Sequence, residues 1–322
     1  MNKKVNTDNL LVLDDKQYQA NFLGRILWFT VSDMRVSADQ LKQAFNNAGI
    51  DEKYLPKPIS PRDAFRRATK VAEAKRIKLD SERYLNLLVR EVKMADDEIV
   101  RQLVREVVDS KNVRLEYLPV ANMKLVNDTD FITEPIVSRY ELYNDESIAL
   151  LKVENEFDRC KDNYNGRHVR ELVQNILDGC RPVAVRPSGG VYFVPEEHSS
   201  TVEGLSALVR ELSQYSIDSE RSRMYHVPVI DAQEHRVMVA ESLEDQVKND
   251  SQSLIAEMAK ILKDGRNITQ KTAEQYINKV KSLKKMVAKY EDMLNTEILN
   301  VQECMNIALN QAKKLLENVE AA

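Results

Sequence analysis

Glycine is scarce in this chain: eight in 322 residues, where globular proteins average about 7%. That leaves almost no material for glycine-rich phosphate loops and favours long, uninterrupted helices. Cysteine is scarcer still. Cys160, Cys180 and Cys304 are odd in number and widely spaced, and no C-x-x-C pair occurs, which argues against a disulfide framework or a zinc knuckle. Four histidines, His168, His198, His226 and His235, show no H-x-x-x-H or H-E-x-x-H spacing, so no metal ligand set and no cofactor is expected. No apolar run approaches the ~18 residues of a spanning helix. The opening Met1–Asn6 leads into a short apolar stretch that Asp14 and Asp15 interrupt, unlike a secretory signal, and the expectation is a cytoplasmic protein. A net charge of −4 gives no global basic signal, so any nucleic-acid contact must be local.

What is present is a chain with 43% hydrophobic and 30% charged residues, enough for a sizeable core. The pattern predicts an α+β protein in four regions. Residues 1–80 read as a helical N-terminal region. Leu23, Ile26, Leu27 and Val31 suggest a helix beginning near residue 16, and Ala38 to Ala48 a second one stopped by Gly49. After the extended Tyr54–Ile59 linker, Ser60, Pro61 and Asp63 make a helix start, with the helix running to about Arg76. Residues 81–144 alternate between apolar and polar side chains. Turn signals at Ala95–Asp97 and Asp109–Asn112 predict an antiparallel meander with one wet face, its last strand at Ile136–Tyr143.

Residues 145–231 return to helix, broken at Asn165–Gly166, and then enter the clearest local motif. Arg181–Pro187 and Val191–Pro195 flank Ser188-Gly189-Gly190, which predicts a hairpin whose glycines supply positive φ. A helix over Ser199–Tyr215 and a strand over Met224–Ile230 complete a small hairpin-helix-strand unit. Residues 232–322 contain no proline. Their three- and four-residue apolar steps predict a long helical hairpin or coiled coil. The second arm, about Thr269 to Val319, reads as one helix with a seam through Leu283, Val287, Tyr290, Leu294, Ile298, Val301, Met305 and Leu315, interrupted by one four-four stutter at Tyr290–Leu294–Ile298.

Candidate chemistry is sparse. Arg62, Arg66, Arg67, Lys70, Lys75, Arg76 and Lys78 cluster against only Asp63 and Glu73. Of these, Arg62, Arg66, Arg67, Lys70 and Arg76 are the candidate nucleic-acid contacts, because phosphate neutralisation needs clustered cations on a rigid element. The competing reading is a solvated helix face. Cys180 with a histidine could form a nucleophilic pair, but no elbow or oxyanion motif stands beside it. Gly189-Gly190 lies between two strands and opens no helix, so it is a turn rather than a phosphate cradle. No catalytic residue is assigned.

The stretch Arg186-Pro187-Ser188-Gly189-Gly190-Val191-Tyr192-Phe193-Val194-Pro195, with Leu103–Asp109 and Arg114–Tyr117, resembles segments of an uncharacterised family of phage and mobile-element proteins, a domain of unknown function. The resemblance implies an origin in such an element, hence a bacterial host cytoplasm, and no activity. The sequence therefore points to a non-enzymatic interaction or assembly protein. It would self-associate or bind a protein partner through the C-terminal coiled coil. The alternative is a nucleic-acid-binding protein using the basic helix over residues 61–78.

Overall fold

The computed structural model describes residues 21–186, 188–264 and 268–320. The residues between the two arms of the expected C-terminal hairpin, and the helix start near residue 16, fall partly outside them. The chain is α+β, with antiparallel sheets and a helical C-terminal third.

Strand β1 (Phe22–Thr30) occupies a position the periodicity assigned to a helix. Leu23, Leu27 and Val31 are four apart, a spacing that also keeps one face of a strand. A register shift between Phe22 and Gly24 then turns Leu23 towards the opposite side from Leu27. Gly24 lies so close to its neighbour that a Cβ there would clash with the Val194 carbonyl oxygen. Short β2 (Arg35–Ser37) leads into α1 (Ala38–Ala48). Ser37 caps α1 through the Gln40 N–H, and Gly49, at φ 66°, ends it as expected.

Helix α2 spans Pro61–Lys70, shorter than the basic stretch suggested, and β3 (Ala74–Lys78) follows. Arg76 therefore lies in a strand, not on the helix. Sheet pairing with β4 (Arg83–Met94) overrides the helical propensity of residues 71–76. The meander is present: β4, β5 (Glu98–Asp109), β6 (Arg114–Val126) and β7 (Asp130–Pro135) join β3 in a sheet of order β3-β4-β5-β6-β7. The last expected strand, Ile136–Tyr143, instead contains a 3-10 turn at Arg139–Glu141 that leads into α3 (Asn144–Asp162).

One face of this sheet packs on α2 and α3 through Phe65, Leu85, Leu103, Met123, Val153 and Phe157. At its centre is a buried ion pair. Arg105 of β5 donates Nε and Nη2 to the two carboxylate oxygens of Glu146, both at 2.7 Å, and Nη2 also reaches the Glu141 carbonyl at 2.7 Å. Glu146 in turn accepts the Tyr143 N–H at 2.9 Å, closing the start of α3. The Arg105 guanidinium lies 4.0 Å from the Tyr143 ring centroid. Glu146 beside it holds the Arg105 pKa above its already high ordinary value, against the opposing effect of burial.

Strand β8 (Asn163–Asn165) pairs with β2 and separates α3 from α4 (Gly166–Gly179). Then come β9 (Val183–Ala184), β10 (Tyr192–Pro195), α5 (Ser199–Leu212) and β11 (Arg223–Ile230). Gly189 and Gly190 take φ values of 73° and 84°, as the hairpin requires. The second sheet has order β11-β1-β10-β9, so the N-terminal strand lies inside the later hairpin-helix-strand unit. The consecutive Phe193 and Val194 are both fully buried, on opposite faces. Helices α1, α4 and α5 cover the Val194 face.

The Phe193 face is covered by α6 (Gln233–Lys263), α7 (Gln270–Leu294) and α8 (Gln302–Glu320). The single helix expected over 269–319 is thus two. Asn295 ends α7 in the left-handed region at φ 49°, a 3-10 turn at Leu299–Val301 follows, and α8 folds back along α7. Asparagine tolerates this conformation better than most residues. The Glu291 carboxylate accepts the Ile298 N–H at 2.9 Å, and Arg236 caps the Leu294 carbonyl at 2.8 Å while holding Asp231.

The Arg105–Glu146 pair yields a stability test. Arg105→Met alone should cost about 3–5 kcal/mol, because it leaves a buried carboxylate without its partner. Arg105→Met combined with Glu146→Leu should recover most of that loss in urea denaturation. Equal losses for the single and double variants would show that the pair is not what joins α3 to the sheet.

Candidate functional site

The glycine hairpin forms one wall of a cavity against the C-terminal helices. Strand β9 is only two residues long, and a side chain continues its pairing. Gln246 of α6 accepts the Ala184 N–H at 2.8 Å and donates its amide to the Pro182 carbonyl at 3.4 Å. Between this hairpin, the end of α4 and one side of α6 lies a space of about 530 Å³. Asp178, Arg186, Tyr192, Glu241, Asp245 and Gln246 are among its walls. Glu241 and Asp245, one turn apart on α6, share a helix face, and Asp178 accepts a hydrogen bond from Gln174 at 2.8 Å. With Asp250 the lining holds four carboxylates against one guanidinium, so the cavity is anionic and disfavours phosphate. Among the described residues no group of three or more His, Cys, Asp or Glu side chains is arranged to hold a metal ion.

A smaller cavity of about 280 Å³ brings together residues that are remote in sequence: Lys53, Tyr54, Cys180, His198, Ser200 and Thr201. It places Cys180 beside a histidine, the pairing considered for a nucleophile. The chemistry runs the other way. Cys180 donates its S–H to the Ile176 carbonyl at 3.6 Å. Burial, with the Glu197 carboxylate adding to it, pushes the thiol up to about 11. His198 lies 3.0 Å from Glu197, but burial dominates and lowers its pKa. A protonated thiol and a neutral imidazole are an inert pair at neutral pH.

The cations of the basic stretch are largely engaged within the chain. Arg62 pairs with Asp128 at 2.7 Å and reaches the Asp96 carbonyl, Arg66 meets Glu91 at 3.2 Å, and Arg67 donates to the Cys160 carbonyl. Arg76 stacks 4.4 Å from the Tyr84 ring centroid and donates to Asn112 at 2.8 Å. Lys70 is exposed at the end of α2. Arg62, Arg66 and Arg76 are thus engaged with the meander and Arg67 with α3, while Lys70 stays open.

The seam residues are held together, but inside the chain. Val287, Tyr290, Leu294, Ile298, Val301 and Met305 are buried against Val239, Leu243 and Val247 of α6 and against Leu23, Val183 and Phe193 of the sheet. Leu283 is half-buried beside them, and Leu315 closes a second cluster with Leu254, Met258, Val280 and Ala308. Tyr290 donates its hydroxyl to the Arg181 carbonyl at 2.7 Å and stands edge-on to Phe193. Sequence spacing identified these residues as a seam; it carried no signal for the fold-back that fills it.

The model of a family of unknown function, DUF6744, matches residues 22–321, and the chain belongs to that family. Neither a curated protein nor a solved structure matches the chain.

The state of Cys180 can be read by alkylation. Only the thiolate reacts, so a thiol near 11 should react slowly at pH ~8 and speed up about tenfold per pH unit to pH ~10. An ordinary thiol levels off above about 8.5. Peptide mapping that finds Cys180 modified fast, with a plateau near its ordinary pKa, would contradict the inert assignment.

Proposed function

We propose that this member of the DUF6744 family is a non-enzymatic interaction or assembly protein of a phage or other mobile element, working in the bacterial cytoplasm and meeting a protein partner through its C-terminal helices. One observation carries the reading. The first half of the helical bundle covers the sheet through Val239, Leu243 and Val247. Among the described residues the second half packs on itself, through Leu254, Met258, Ala273, Val280, Ala308, Ala312 and Leu315. From Ser251 to Lys263 this self-packed part extends α6 by ~20 Å.

Such an arm adds nothing to the cover of the sheet, and it retains outward apolar side chains in Leu262 and Ile307. Rigid helical surfaces with isolated apolar anchors suit recognition by another protein. The mobile-element origin rests on the likeness of the Arg186–Pro195 segment to phage proteins. Among the described residues no helix is long and apolar enough to cross a membrane. The inert Cys180–His198 pair gives the enzymatic reading no support.

The test compares the full chain with a Leu262→Glu/Ile307→Glu variant, each purified from a native host. The variant should keep its helicity and thermal midpoint yet lose, in stoichiometric amount, a protein that the wild type retains. Identical retention by both would overturn the role given to the arm. Duplex DNA binding that weakens steeply with salt would instead support the nucleic-acid class.

A further inference from the structure

Three of the four outer edges of the two large sheets are protected against further strand pairing. Strand β3 carries Lys75, Arg76 and Lys78 and a register shift against β4. Strand β7 is six residues long with Asp130, Glu134 and Pro135. Strand β9 has two residues, and Gln246 takes its Ala184 N–H. Charges, proline, irregularity, brevity and covering groups are the usual devices against edge pairing.

Strand β11 lacks most of them. It runs eight residues, Arg223–Ile230, with one permanent charge, at its first position. Tyr225 and Val227 are 47% and 46% exposed, and Trp28 on the neighbouring strand is 40% exposed. Trp28 and Tyr225 are paired across β1 and β11 with ring centroids 5.7 Å apart. An exposed aromatic pair beside an open edge is a recognised setting for strand addition.

The backbone of β11 specifies what could pair with it. Proline in an edge strand is tolerated where its missing N–H faces outward, so Pro228 puts the main-chain groups of Met224, His226 and Pro228 on the open side. Two contacts agree with this parity. The Met224 carbonyl accepts the Ser206 hydroxyl at 3.3 Å, and the Ile230 carbonyl accepts the Ala232 N–H at 2.9 Å. The outward groups left open are the His226 N–H and C=O, the Met224 N–H and the Pro228 C=O.

We propose that β11 pairs antiparallel with β11 of a second copy of this chain, about a twofold axis through His226. In that register the two His226 residues exchange N–H···O=C bonds, and each Met224 N–H meets the Pro228 carbonyl of the other copy. The bond that proline cannot donate would have ended on the Met224 carbonyl, which Ser206 already serves. Each Tyr225 falls opposite the other copy's Val227, so apolar meets apolar at the centre, and each Arg223 lies at the rim opposite Val229. A twofold interface needs a surface complementary to itself, and this strand has one. The inference uses a surface separate from the helical arm and does not depend on the role proposed for it.

The chain's single tryptophan is Trp28, which places a reporter one strand from the interface, against Tyr225. Sedimentation equilibrium and tryptophan emission should be followed together from low to high micromolar concentration. The mass should rise from 37.0 kDa towards twice that value while the emission moves to the blue with the same midpoint. Val227→Lys should keep the far-UV spectrum and weaken association by about tenfold or more, roughly 1.4 kcal/mol. If that variant misfolds, the wild-type emission still decides. A monomer at every concentration overturns the proposal, and so does a doubling of mass with unchanged Trp28 emission, which would move self-association to the helical arm.

Discussion

A four-stranded sheet with apolar side chains on both faces must be covered twice, and the structure of this chain follows from how that is done. Leu27 and Val194 on one face, and Phe193 and Val183 on the other, are all fully buried. Helices α1, α4 and α5 supply the first cover. Only the C-terminal helices remain for the second, and an unbroken helix over 269–319 would run past the sheet rather than over it. Burying a large side chain stabilises by roughly 1.5–3 kcal/mol, so a seam of this length strongly favours turning back onto α6 and the sheet.

Small polar contacts fix where that turn occurs. Asn295 takes the left-handed conformation, Glu291 holds the Ile298 N–H, and Arg236 occupies the Leu294 carbonyl from the start of α6. Tyr290 ties the same region to the hairpin through the Arg181 carbonyl. These contacts connect the bundle to the glycine hairpin and to the cavity between them. The helical arm and the β11 edge are among the outward surfaces that remain once both faces of the sheet are covered.

Much of this was legible before the structure, and the failures share causes. Local turn chemistry was reliable: Gly49 ended α1, Gly189-Gly190 made the hairpin, and Asp109–Asn112 separated β5 from β6. Periodicity failed where two periods coincide, since residues four apart in Phe22–Thr30 fit helix and strand alike. It failed again at Tyr290–Leu294–Ile298, where a four-residue step reads as a stutter but marks the end of a helix that asparagine, not glycine, terminates. The basic run over Arg62–Lys78 is clustered in sequence, yet its partners Glu91, Asp96, Asn112 and Asp128 come from the meander. That Cys180 and His198 line one cavity, and Asp178 and Glu241 another, depends on tertiary placement, which no local pattern encodes.

The central claim is that the C-terminal seam is filled within one chain by α8 folding back on α7. The Lys284 ammonium donates to the Asn306 side chain at 2.7 Å, although 22 residues of continuous helix would hold these positions ~33 Å apart. Spin labels at positions 284 and 306, with the native cysteines replaced by alanine and the labelled chain diluted into unlabelled protein, measure this directly. Strong dipolar broadening under dilution is the predicted result. A separation near ~33 Å would show an unbroken helix whose seam faces another molecule, and would contradict the fold-back.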